Sequence, residues 1–261
     1  MPRSGDATAF ALAVLRTADE HNVRYPAAAF AYYGFVAFLP LLVLAVALLG
    51  EAGVGRLDQT LPQLLTPEVQ RLVYESLAVA SGRAGATVFA VAVLAWSLTN
   101  MTVAFQTVVE RVEGGPTRPR RVQLRNAVGI LASILLTVVA VVFTERFFAV
   151  VPASPFTWAR PAVLLVALTV TFLPLYYLSS QRVTDLPGAL PGALTAAVGW
   201  TALVTVVQLY AADAGQYALY GVLSGIILVY TSLYVAAGAL MLGVVVNVTV
   251  EERADGGEPG G

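Results

Sequence analysis

Ten polar but uncharged side chains recur at helical spacing inside otherwise apolar sequence. If the surrounding segments are helical, Thr99, Thr102 and Gln106, with Glu110 one turn on, fall within roughly 80° of one another at ~100° per residue. Thr201, Thr205 and Gln208 repeat the pattern, and Tyr220, Ser224, Thr231 and Tyr234 share a face with Gly238. Hydroxyls and amides of this kind can line a cavity that accommodates a lipid headgroup or an ion. They can equally be interhelical glue, worth about 0.6 kcal/mol per contact. Both readings are open. No Asp, Glu, Lys, Arg or His lies near the middle of any apolar run; Glu110, Glu145 and Arg146 sit at run ends. Ion-coupled pumps usually carry such a group within the bilayer, so the pattern suits passive or lipid-linked movement better. The chain has no Cys and a single His, His21, which removes disulfides, thiolate chemistry and His-paired metal sites. No cofactor is expected.

The elements that must hold these side chains are membrane spans. The chain is 58% hydrophobic and 12% charged, with a mean hydropathy of +0.77, where a soluble domain carries about 25% charged residues. Residues 27–50 hold no charge and, at ~1.5 Å per residue, cross a ~30 Å hydrocarbon core. Similar runs at 86–109, 127–151, 161–179, 189–212 and 220–250 predict an all-α polytopic membrane protein of six transmembrane helices with short amphipathic surface helices. The last run is longer than a span needs, so it must tilt, bend near Gly238 or Gly243, or protrude. Three regions follow: an amphipathic segment at 1–26, a six-span domain at 27–250, and a disordered, acidic, Gly-rich tail at 251–261.

All fifteen basic residues are Arg. With both termini in the cytoplasm, ten fall inside and five outside, which sets the expected orientation in the cell membrane. Arg118, Arg120 and Arg121 dominate that count and are expected to touch anionic headgroups. A net charge of −1 argues against a nucleic-acid partner; membrane lipids are the expected contact, and oligomeric state is not legible. The first twenty-six residues lack the pattern of a cleaved signal peptide.

Two non-spanning segments read as amphipathic helices. Phe10, Val14 and Leu15 recur between Asp6 and Glu20, predicting a helix on the inner surface. Thr66-Pro67-Glu68 is a helix-start signal in a long outer loop, for a segment packed over the bundle mouth or a moving lid. Phe38-Leu39-Pro40-Leu41 recurs as Phe172-Leu173-Pro174-Leu175, each near a Tyr pair. Pro40 and Pro174 are therefore candidate helix breaks, either of an inverted three-span repeat around a central site or as two ordinary kinks. Leu186-Pro187-Gly188-Ala189 and its tandem copy mark a helix start, and Gly221 to Gly225 is a small-xxx-small packing motif.

The stretch Ala31 to Leu42 (AYYGFVAFLPLL) resembles the first-span signature of the YihY/BrkB family of inner-membrane proteins. Leu186 to Leu190, Tyr220-Gly221, and Leu242-Gly243 with Asn247 are similar to that family's final third. The resemblance implies a six-span membrane protein suspected of transport or envelope maintenance. The family has also carried a ribonuclease label, for which this chain shows no cluster of acids able to hold catalytic metal. The family commonly carries Leu-Gly-Ala-Glu-Leu-Asn near the end of its last span. Here Val245 stands at the acidic position, so a mechanism using that Glu does not carry over.

Three classes of function follow. A transporter or lipid-moving protein requires a cavity lined by the three stripes. A scaffold requires those stripes buried in tight contacts. An enzyme requires a catalytic constellation that Glu110, Glu145 and Asp213 do not form in sequence, so none is expected.

Overall fold

The computed structural model describes residues 4–57, 80–114, 159–183, 185–213 and 221–255, with scattered positions between 128 and 147. Described residues are helical apart from short connections, and no strand occurs among them. The helices are α1 (Ser4–Glu20), α2 (Arg24–Leu57), α3 (Ala80–Glu113), α4 (Val128–Val141), α5 (Arg160–Ser179), α6 (Leu186–Asp213) and α7 (Gly221–Asp255). Sequences apolar on every face favour helix in a bilayer because only a helix satisfies all its backbone groups internally.

Four helices among the described residues are long and apolar enough to cross a membrane: Thr87–Glu113, Arg160–Ser179, Leu186–Tyr210 and Gly225–Ala254. Four of the six expected spans are thus found among the described residues. The first expected span falls on α2, whose side chains beyond Leu41 lie mostly outside the described residues, and the third, 127–151, is described only in part. The loop helix expected after Thr66 and the cluster at Arg118, Arg120 and Arg121 lie outside the described residues.

The central element is α7. It packs against α1, α2, α3 and α6, and 61% of its most apolar stretch lies inside the bundle, against 28–33% for the other three candidate spans. Gly34 of α2 lies beside Leu233 and Met101, and Phe35 stacks edge-on against Tyr230, centroids 6.2 Å apart. Advancing along α2 therefore moves backward along α7, so the two are antiparallel. The α6–α7 contact depends on missing side chains: a Cβ at Gly192 would strike the Gly243 carbonyl, and one at Gly199 would strike Ala239. In the small-xxx-small motif at Gly221 to Gly225, a Cβ at Gly225 would meet nothing within 4 Å, and the surroundings of Gly221 lie outside the described residues.

Asp185 starts α6, its Oδ1 accepting the Gly188 N–H at 2.9 Å. Gly114, at φ +66°, ends α3 in the left-handed conformation that glycine adopts without strain. Five residues beyond the expected boundary at Val250 stay helical, carrying α7 to Asp255.

Candidate functional site

Two features gather polar groups at the end of the bundle where α3 and α7 finish and α1 meets α2. The first is a lock around Glu113, the last residue of α3, which is 5% exposed. Ser180 Oγ donates to Glu113 Oε1, and the Gln181 N–H donates to Oε2 at 2.7 Å. Arg182 Nη2 donates to the Glu113 carbonyl at 2.9 Å, supplying a cation to the negative end of the helix dipole. Its Nη1 lies 3.4 Å from Glu252 Oε1 on α7. Ser180 Oγ also accepts the N–H groups of Arg182 and Val183, at 3.1 and 2.9 Å, and so shapes the α5–α6 turn.

Deeper in the same region, the Tyr176 hydroxyl donates to the Leu240 carbonyl at 2.6 Å. Asn247 Oδ1 accepts the Gly192 N–H at 2.6 Å. Glu113, Tyr176, Ser179 and Asn247 border a gap of about 10 Å³, room for about one water. Ser179 Oγ is buried there with no hydrogen-bond partner.

The second feature is an open recess of about 300 Å³. Leu15, Ala18 and Asp19 of α1, the connecting Val23, and Arg24 and Ala27 of α2 form one wall. Tyr234, Val235, Gly238 and Leu242 of α7 form the other. Its charged lining residues are Asp19 and Arg24, and the rest of the lining is apolar apart from Tyr234. The guanidinium of Arg24 stands 5.0 Å from the centroid of the exposed Tyr25 ring.

The residues of the three stripes occupy different surroundings. Thr102 is 3% exposed, and Gln106 is half-buried. Thr99 is exposed and bonds to Ala95 O in its own helix at 2.7 Å. Thr205 bonds to Thr201 O at 2.8 Å, while the Thr201 hydroxyl is buried without a partner. Gln208 is half-buried. On α7, Thr231 and Tyr234 are exposed, and only Tyr234 reaches the recess. The side chain of Ser224, and Tyr220 altogether, lie outside the described residues. A threonine in a helix satisfies its hydroxyl on the i−4 carbonyl, so helical spacing did not force the stripes to converge.

Pro40 and Pro174 lie inside α2 and α5, which run on as helix through both. Each proline lacks the N–H for one backbone hydrogen bond, and the helix continues on the bonds of its neighbours. The matched letters differ in setting: Phe38 and Leu41 are exposed, whereas Phe172 and Leu175 are buried. Val245, at the position where family members carry Glu, is fully buried.

Glu113 was missed by sequence reasoning. The signal was an acid directly ahead of glycines that stop a helix, together with Ser180 and Arg182 in a connection short enough to return to it.

The match to known sequences bears on this helical bundle as a whole. The family model described as "Virulence factor BrkB" matches residues 14–261. The chain belongs to the BrkB family. It is therefore a membrane protein, as its apolar helices require. A relative in Bacillus subtilis (strain 168), "Putative ribonuclease-like protein YfkH", is 24% identical over 260 residues, covering 89% of this chain and 92% of the relative. No solved structure matches the chain. Among the described residues no group of three His, Cys, Asp or Glu side chains is placed to hold a metal ion.

Proposed function

We propose that this BrkB-family protein is a lipid-moving protein of the cell membrane that handles lipid along the flank of its bundle. The observation that carries this is the recess between α1, α2 and α7. It is open, is lined by the charged Asp19 and Arg24 beside apolar side chains, and takes in Tyr234 and Gly238 from the polar face of α7. Such a mixed lining suits an amphiphile, with charges for a headgroup and apolar side chains for a chain. The protein acts in envelope maintenance without catalysing a covalent reaction, and Arg118, Arg120 and Arg121 contact anionic headgroups.

Six spans with both termini in the cytoplasm accompany this proposal. Besides the Arg count, the contact of Arg253 with the Phe10 ring, 4.8 Å from guanidinium to centroid, supports it by placing α1 beside the end of α7. A reporter active only outside the cytoplasm, fused after Asp255, is expected to stay silent. Strong signal would reverse the orientation.

The functional test is a dithionite assay on proteoliposomes carrying headgroup-labelled phospholipid. Protein-dependent bleaching beyond the outer leaflet's share is the expected result. Bleaching equal to that of protein-free vesicles would overturn lipid movement and favour a membrane scaffold.

A further inference from the structure

The two charges of the recess point to the kind of lipid it holds. Asp19 and Arg24 are both exposed and both line the recess, yet they do not pair with each other, and neither has an ion-pair partner among the described residues. Neighbouring Arg16 and Glu20 do approach one another, at 3.9 Å. An acid and a base without ion-pair partners, both lining one largely apolar recess, match a ligand that carries both signs. From Leu242 to Tyr234 the α7 wall extends about 12 Å at ~1.5 Å per residue. Along this wall a Cβ at Gly238 would meet nothing within 4 Å, so the space beside it is open.

We propose that the recess binds one zwitterionic phospholipid bearing a primary amine. Arg24 takes the phosphate through its guanidinium fork, Asp19 takes the ammonium, and one acyl chain lies along Val235, Gly238 and Leu242. An anionic lipid leaves Asp19 facing a hydroxyl or a like charge. A choline lipid keeps the positive charge but has no N–H to donate. The recess therefore ranks ethanolamine above choline and choline above glycerol headgroups. The identity of the occupant as a lipid rests on the lipid-handling proposal; its headgroup preference rests on the two charges.

The test is native mass spectrometry of the full chain in detergent with equal amounts of phosphatidylethanolamine, phosphatidylcholine and phosphatidylglycerol. Wild type is expected to retain the ethanolamine lipid roughly tenfold over the glycerol lipid, the ratio that about 1.4 kcal/mol produces. Asp19→Asn should bring that ratio near one, and Arg24→Gln should lower retention of all three. Gly238→Leu should fill the recess and lower retention of all three while leaving the melting temperature near that of wild type. Glycerophosphoethanolamine, the same headgroup without chains, should not displace the lipid; if it does, the site is for a soluble phosphate ester and the proposal fails. Equal retention of the ethanolamine and glycerol lipids by wild type, or an unchanged ratio in Asp19→Asn, also overturns it. Failure of the two proposals is separable: absent bleaching with the headgroup preference intact removes lipid movement alone, and bleaching without preference removes this site alone.

Discussion

At the scale of single residues, two acids at the same end of the bundle are held in opposite ways. Glu113 is buried and accepts hydrogen bonds at both carboxylate oxygens, whereas the side chains of Arg182 and Glu252 are 41% and 60% exposed. A hydrogen bond to a charged group contributes about 1.5–3 kcal/mol, and an exposed ion pair about 0–1 kcal/mol. Glu113→Gln, which turns an amide N–H₂ toward the Gln181 N–H or the Ser180 hydroxyl, is expected to lower stability by about 2 kcal/mol. Glu252→Gln should change it by less than ~1 kcal/mol. Thermal unfolding in detergent checks both, and a Glu252→Gln loss as large as that of Glu113→Gln would show that the surface pair, not the buried carboxylate, secures the α5–α6 turn. Nothing in the helical spacing pointed to Glu113, because its partners come from a turn 67 or more residues away. The stripes were legible as spacing alone, and a threonine that bonds to its own helix can face any direction.

At the scale of elements, close approach of α6 and α7 depends on glycines whose role could not be read from their neighbours in sequence. Gly192 and Gly243 each oppose the other's carbonyl, and Gly243 also lies under the Tyr176 ring. Gly225 and Gly238 face open space. Adding a methyl where backbone already fills the volume forces the helices apart, typically at a cost of about 1–3 kcal/mol. Gly192→Ala and Gly243→Ala are therefore expected to reduce folded yield and melting temperature. Gly225→Ala and Gly238→Ala should be neutral or stabilising by at most ~1 kcal/mol, the helix propensity difference. A size-exclusion and thermal-shift comparison of the four variants tests this, and equal losses at all four would refute the crossing. Sequence placed the starts of these helices well: Pro161 sits in the first turn of α5 and Leu186-Pro187 opens α6.

At the scale of the whole molecule, α7 is the element on which the rest assembles. Its last turns carry Glu252, which approaches Arg182, and Arg253, which covers Phe10. The charged residues that end the last apolar run thus tie the N-terminal helix and the α5–α6 turn to one end of the bundle. Deleting residues 4–20 removes Leu15, Ala18 and Asp19 from the recess and uncovers Val23 and Ala27, both buried now. That truncation is expected to abolish headgroup-selective lipid retention while the α5–α6–α7 contacts persist, read by native mass spectrometry beside protection of α7 amides from hydrogen exchange. Full retention by the truncated chain would show that α1 is no part of the site.

Composition and run length by themselves determined that this is a helical membrane protein, because an uncharged stretch of two dozen residues can satisfy its backbone in lipid only as a helix. They also determined family, through short motifs at fixed order, and the helix starts, through Pro at the first turn. Tertiary structure alone decided which polar groups meet. Gly192 finds Asn247 and Glu113 finds Ser180 across 55 and 67 residues, distances over which no local period carries information. It also decided which side of each helix faces outward. In a chain apolar all round, the hydrophobic pattern that fixes a soluble helix's orientation is missing. Orientation is left to small-residue contacts and a handful of buried hydrogen bonds.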